Sequence, residues 1–193
     1  MIGSVLRVAP KDLELLFRSP GQIGMVIYGE DLTQQEPEKQ GWIARFLRNK
    51  TMSAPGHSER ILKPAPESAF LDLDKSWGAI HFAFTDSNGK EDLPAGFILN
   101  GAEIGEIDVG YGPARGFGVR DVFEIHQFLS LKTAGEWVDS INPAALLEAD
   151  VYPFFDEAFG EDEKNYVSEY LAELKSFVAD IHAEGDAMIV YLN

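Results

Sequence analysis

The sequence predicts a single α+β domain over residues 1–193, with several helices packed against a small mixed or antiparallel sheet. Three observations point there. Short apolar runs stand at both ends, Ile2–Val8 and Ala187–Leu192, with the length and composition of strands. Between them lie stretches with apolar residues at helical spacing, the longest from about Asp162 to Glu184. The chain has 193 residues, 45% of them hydrophobic, which is enough material for one core.

Taken in order, Ile2–Val8 offers Val5, Leu6 and Val8 for burial as a first strand. Pro10 opens a short helix with Leu13, Leu16 and Phe17 on one face, and Pro20-Gly21 ends it. Ile23–Tyr28 is an apolar run of either type. Residues 29–66 differ in character, with Pro37, Pro55, Pro64 and Pro66 among Gly29, Gly41 and Gly56, and read as an elaboration. Within them Trp42, Ile43, Phe46 and Leu47 predict a helix over 38–49, with Arg45, Arg48 and Lys50 on its basic side. His57 falls in a Pro-Gly loop and reads as solvated.

Asp74 suits a helix N-cap, because its carboxylate can accept from the free amides of a first turn. Trp77, Ile80, His81 and Phe84 then follow at helical spacing, while Ile80, Phe82 and Phe84 also alternate as a strand would. Asn100-Gly101 between Ala95–Leu99 and Ala102–Ile104 is a hairpin signal, since both central residues of the favoured turn need positive φ. Gly105–Gly118 reads as a glycine-rich loop. Val119–Leu131 is a helix, Thr133 and Glu136 suggest a capping box weakened by Gly135, and Asn142-Pro143 starts a helix to about Asp150. The long helix carries Tyr166, Tyr170, Leu174, Phe177 and Ile181 in one row beside Val167, Leu171 and Val178, and Gly185 supplies its left-handed stop.

The net charge of −16 is uneven: +2 over residues 1–63, −8 over 64–144 and −10 over 145–193. Such a surface repels phosphate backbones, so nucleic-acid binding is not expected, whereas a basic protein partner is compatible with it. No apolar stretch approaches a membrane span, and Met1–Leu6 meets Arg7 too early for a secretory leader, so the expected location is cytoplasmic. The absence of Cys removes thiolate metal sites and a Cys nucleophile.

Two stretches carry the candidate site, Leu71 to Phe82 and Asp108 to Arg115, and they are expected to meet in space. Asp72-x-Asp74-x-Ser76 begins like a calcium loop, but Trp77 stands where the turn glycine belongs and Ala83 where the closing acid belongs. Gly110-x-Gly112-x-x-Arg115 is one residue short of a dinucleotide fingerprint, yet glycine-loop amides and a guanidinium can hold an anion, with Tyr111 stacking or donating. His81 reads as a general base oriented by Asp72 or Asp74, or more plainly as a core imidazole, with Trp77 packing beside it. The candidate ligand-binding residues are therefore Asp72, Asp74, Trp77, His81, Tyr111 and Arg115. The plainer alternative for Arg115 is a structural ion pair with Asp74. No metal and no cofactor is expected, since the four histidines are dispersed and no His-Glu-x-x-His occurs.

The residues Leu71-Asp72-Leu73-Asp74-Lys75, Trp77, His81-Phe82, Gly110–Arg115, Tyr152-Pro153 and Glu184–Ala187 resemble the YfbM-like family, a domain of unknown function. The similarity is loose over 1–18 and good over 68–193, and it implies that 29–66 is an elaboration specific to this branch. It implies an α+β domain and brings no activity and no catalytic residues. Many members of that family start the helix after the glycine loop with a Ser-Pro cap, where this chain has Phe117-Gly118-Val119. The leading functional expectation is a non-enzymatic binding module for a protein partner or a small anionic ligand. The alternatives are an enzyme of unknown class using Asp72, Asp74, His81, Tyr111 and Arg115, and an acidic immunity-type inhibitor.

Overall fold

The computed structural model describes residues 1–32, 60–154 and 159–193. The expected helix over 38–49 and His57 lie outside them. Five strands make one sheet in the order β2-β1-β5-β4-β3, and each pair of neighbours is antiparallel. The strands are β1 (Gly3–Val8), β2 (Phe70–Asp72), β3 (Ala102–Asp108), β4 (Pro113–Phe117) and β5 (Ala187–Leu192). The first and last strands of the chain thus pair at the centre of the sheet.

That placement explains their composition. Every residue of β5 is buried, because helices cover both faces of a central strand. The edge strands are built to discourage further pairing: β2 has three residues, and β3 carries Glu103, Glu106 and Asp108 among its exposed or half-exposed positions.

Helices α1 (Pro10–Arg18) and α2 (Ile23–Tyr28) cover one face, where Leu13, Leu16, Ile23 and Val26 pack on Leu6, Ile189 and Tyr191. The other face carries α3 (Trp77–Thr85), α4 (Val119–Leu129), α5 (Ala134–Asp139), α6 (Pro143–Glu148) and α7 (Glu161–Glu184). Within α7 the fully buried row is Val167, Leu171, Leu174, Val178 and Ile181, with Tyr166, Tyr170 and Phe177 half-buried beside it. Gly185 ends this helix at φ 69°, as its sequence position predicts. Thr133 and Glu136 cap α5 reciprocally at 3.2 and 2.7 Å, so Gly135 does not prevent the box. Asn142 Oδ1 accepts from Ala144 and Ala145 at the start of α6.

The ambiguous central stretch is a helix. Seven of its nine residues are buried, because α3 lies between the sheet and other helices, and that removes the polar face a clean helical pattern needs. Asp74 is not its N-cap. It opens a separate 3-10 turn, Asp74–Ser76, at φ 46°, and its carboxylate accepts instead from the Tyr166 hydroxyl at 2.9 Å.

Two expectations about residues 95–118 are corrected. Ala95–Leu99 is not a hairpin strand. It is a compact turn in which Leu99 and Asn100 N–H both return to the Gly96 carbonyl, and it buries the consecutive Phe97 and Ile98. The hairpin falls one element later, between β3 and β4, so most of the expected glycine loop is strand. Asp108 organises its turn by accepting from Gly110 and Gly112 N–H at 2.8 and 2.9 Å. After β4 the chain enters α4 without a Ser-Pro cap, and the Asp121 carboxylate accepts from Gly118 N–H at 3.0 Å.

Candidate functional site

Register decides which candidate residues can meet. Leu71, Val5, Val190, Arg115 and Glu103 form one row across the sheet. Leu71, Val5 and Val190 pack on the face covered by α3–α7, so Arg115 points there too. Asp72 belongs to the neighbouring row with Ser4 and Tyr191 and points to the opposite face. Arg115 and Asp72 are three strand steps apart, roughly 14 Å at about 4.8 Å per step. The expected Asp74–Arg115 ion pair is absent, since Asp74 accepts from Tyr166 instead, and the two stretches approach each other only at His81 and Arg115.

Each remaining candidate has a definite place. Trp77 stacks on Tyr152 at 5.9 Å and sits against Gly3, where an added Cβ would come within 2.6 Å of the Trp77 Cβ. Its indole anchors α3 to the start of β1. Tyr111 is 56% exposed in the β3–β4 turn, and its backbone N–H donates to the Leu192 carbonyl. The turn amides that an anion would need are occupied by the Asp108 carboxylate, which they hold below its usual pKa. Asp72 accepts from Asp74 N–H at 2.6 Å.

His81 and Arg115 lie within reach of each other's charge. His81 is 1% exposed and Arg115 6%. Arg115 is near enough for its charge to oppose protonation of His81, although burial is the larger cause of that ring's lowered pKa. The same loop closes over both. His81 Nε2 meets the Gly89 carbonyl at 2.8 Å, Lys90 pairs with Glu103 at 3.3 Å, and Glu103 is the cross-strand neighbour of Arg115. Phe97 braces the two walls, with its ring against Phe84 of α3 at 6.0 Å and Phe117 of β4 at 6.4 Å. Gly89, Glu103 and Phe97 were not among the candidates. Asp108-x-Gly-x-Gly was the available signal, since reading it as a hairpin turn pairs Arg115 with the strand that carries Glu103.

Three interior polar atoms of this pair have no hydrogen-bond partner: Arg115 Nε, Arg115 Nη2 and His81 Nδ1. Nε–H and the adjacent Nη2–H are parallel donors along one edge of the guanidinium, the edge that grips an oxyanion with two bonds. The other arginines among the described residues are engaged in ion pairs. Around a cleft of about 500 Å³ beside α1, Arg7 pairs with Asp186 and Arg60 with Asp12 at 2.8 Å.

The matching family model, "Domain of unknown function (DUF1877)", covers residues 1–191. The chain belongs to this family. Among solved structures it is similar to the crystal structure of YfbM from Escherichia coli, a protein of unknown function, at 16% identity and a TM-score of 0.58 over 98% of both chains. That likeness establishes the fold. None of the curated proteins matches this member of the family. Among the described residues, no helix is long and apolar enough to cross a membrane.

The buried imidazole makes stability depend on pH. Burial, then Arg115, lowers the His81 pKa below 6.5, outweighing the Gly89 bond and Glu91, which raise it. Stability is then complete above about pH 6.5 and is lost as pH falls toward the folded-state pKa, because the unfolded chain binds the proton first. His126, stacked on His182 at 4.9 Å, is lowered too, by burial, His182 and Lys175, and acts in the same direction. The expected result is a melting temperature that declines between about pH 6.5 and 5, before most carboxylates titrate, with part of the slope removed in His81→Gln. A flat profile over that window would contradict this.

Proposed function

We propose that this protein is a binding module for a small anionic ligand, held inside the domain by the free edge of Arg115 with His81 beside it. The observation that carries the reading is an arginine only 6% exposed whose buried Nε and Nη2 lack hydrogen-bond partners. Buried donors of a charged group left without acceptors are costly, and an oxyanion gripped by two parallel bonds offsets that cost. Glu103, the cross-strand neighbour, favours the Arg115 charge against the burial that opposes it, but its carboxylate pairs with Lys90 at 3.3 Å and Nε and Nη2 have no hydrogen bond. Binding is favoured over catalysis because Asp72 and Asp74, the expected orienting acids for a general base, sit elsewhere, and a backbone carbonyl fixes the imidazole.

Calorimetric titration with inorganic phosphate, sulfate and acetate tests the reading. At least one oxyanion should bind. Arg115→Lys keeps the charge but loses the two-bond edge, and should weaken that binding by roughly tenfold or more. Wild-type protein that binds none of the three would overturn the proposal.

A further inference from the structure

We propose that the ligand of this site is an oxyanion carrying its own O–H donor, with hydrogen phosphate the smallest member of the class and sulfate disfavoured. The inference rests on Arg115 being an anion site and adds the part played by His81.

A carbonyl oxygen only accepts, so the 2.8 Å contact with Gly89 places an N–H on His81 Nε2. In the neutral ring Nδ1 then carries a lone pair. That atom is buried and has no donor partner. Protonating the ring would set a second interior cation beside Arg115, and of the charged groups acting on it only Glu91 favours that. The polar atoms left open are thus two parallel donors and one acceptor. A phosphate group bearing one hydrogen matches this set: two anionic oxygens accept from Nε and Nη2, and its O–H donates to Nδ1. Sulfate at neutral pH has acceptors alone, so its oxygen would face the Nδ1 lone pair unless the protein took up a proton. A 2-hydroxy carboxylate presents the same pattern with a carboxylate and a hydroxyl. A site that hydrogen-bonds a ligand hydroxyl discriminates strongly against analogues lacking it, because its own polar atom is left unpaired.

The test is titration of the full chain with phosphate against sulfate, and with glycolate against acetate, at about pH 7.5, where His81 is neutral. Phosphate should bind at least tenfold more tightly than sulfate, on the order of the hydroxyl discrimination such sites achieve. A preference for glycolate over acetate exceeding that for phosphate over sulfate would assign the O–H to a hydroxy acid within the same class. His81→Leu removes the Nδ1 lone pair and adds no acceptor, so the preference should shrink to roughly threefold or less. Repeating the wild-type sulfate titration in buffers of different ionisation enthalpy gives a readout that needs no variant: sulfate should bind with uptake of a proton. Sulfate that binds as tightly as phosphate, without proton uptake, overturns the inference while leaving Arg115 an anion site. Failure of all four anions removes the underlying reading instead.

Discussion

Arg115→Met is expected to raise the melting temperature and to abolish anion binding in the same variant. Arg115 stands in a row whose neighbours across the sheet are Val190, Val5 and Leu71, and its side chain is nearly all interior. Two of its donors are unsatisfied, and its burial lowers its pKa, the mark of a charge held where water does not solvate it. Met has comparable length, adapts to irregular space and carries no charge. Replacing interior charged groups by well-packed apolar ones stabilises by about 1–4 kcal/mol in favourable cases. For a domain of this size each kcal/mol moves the melting temperature by about 2–4 °C, so a rise of several degrees is expected in buffer free of binding anions. Arg115→Ala should gain less, because the shorter side chain leaves a cavity. Thermal unfolding of both variants checks this. A large fall in the melting temperature of Arg115→Met would mean that the guanidinium is satisfied within the domain, and the anion site would lose its basis. The expected combination is the ordinary exchange of stability for function at a binding site.

Phe97→Ala is expected to destabilise the domain by about 3–5 kcal/mol, a fall in melting temperature on the order of 10 °C. Phe97 has no exposed surface and is among the largest fully buried side chains. Its ring stacks on Phe84 at 27° and meets Phe117 nearly edge-on at 84°. Removing it opens a large cavity between α3 and β4, the two elements that carry His81 and Arg115. Anion affinity should therefore fall with stability, whereas Phe97→Leu, which fills most of the space, should retain both in large part. Urea unfolding with an unchanged m-value and a lower midpoint would show the loss to be one of native packing. A loss below about 1 kcal/mol would instead mean that residues 91–101 cap the core without belonging to it.

The candidate site was legible by residue type and not by grouping. His81 and Arg115 stood out because a histidine in an apolar stretch and an arginine beside glycines are chemically conspicuous. Asp72, Asp74, Trp77 and Tyr111 stood out for similar reasons, yet they serve as turn acceptor, tyrosine partner, packing anchor and turn tip. The misplaced hairpin has a physical cause. Asn100-Gly101 tolerates several turns, and here Asn100 donates to Glu91 and accepts from Gly101 while Phe97 and Ile98, being adjacent, are buried together in a turn. An alternating strand would have sent those two side chains to opposite faces. The true partner strands were masked by glycines and by the acids that an edge strand tolerates.

By itself the sequence determined what depends on neighbours a few residues apart. It set the α+β class, the terminal strands, the long helix with its Gly185 stop, and the starts at Thr133 and Asn142, because caps, turns and periodicity are local properties of dihedrals and side-chain spacing. Only the tertiary structure decided the strand order β2-β1-β5-β4-β3, the pairing of the first strand with the last, and the face on which each candidate points. Those rest on contacts between distant residues whose energies are shared across the sheet. Because side chains alternate along a strand, a shift of one residue in register would have moved Arg115 to the other face, away from His81.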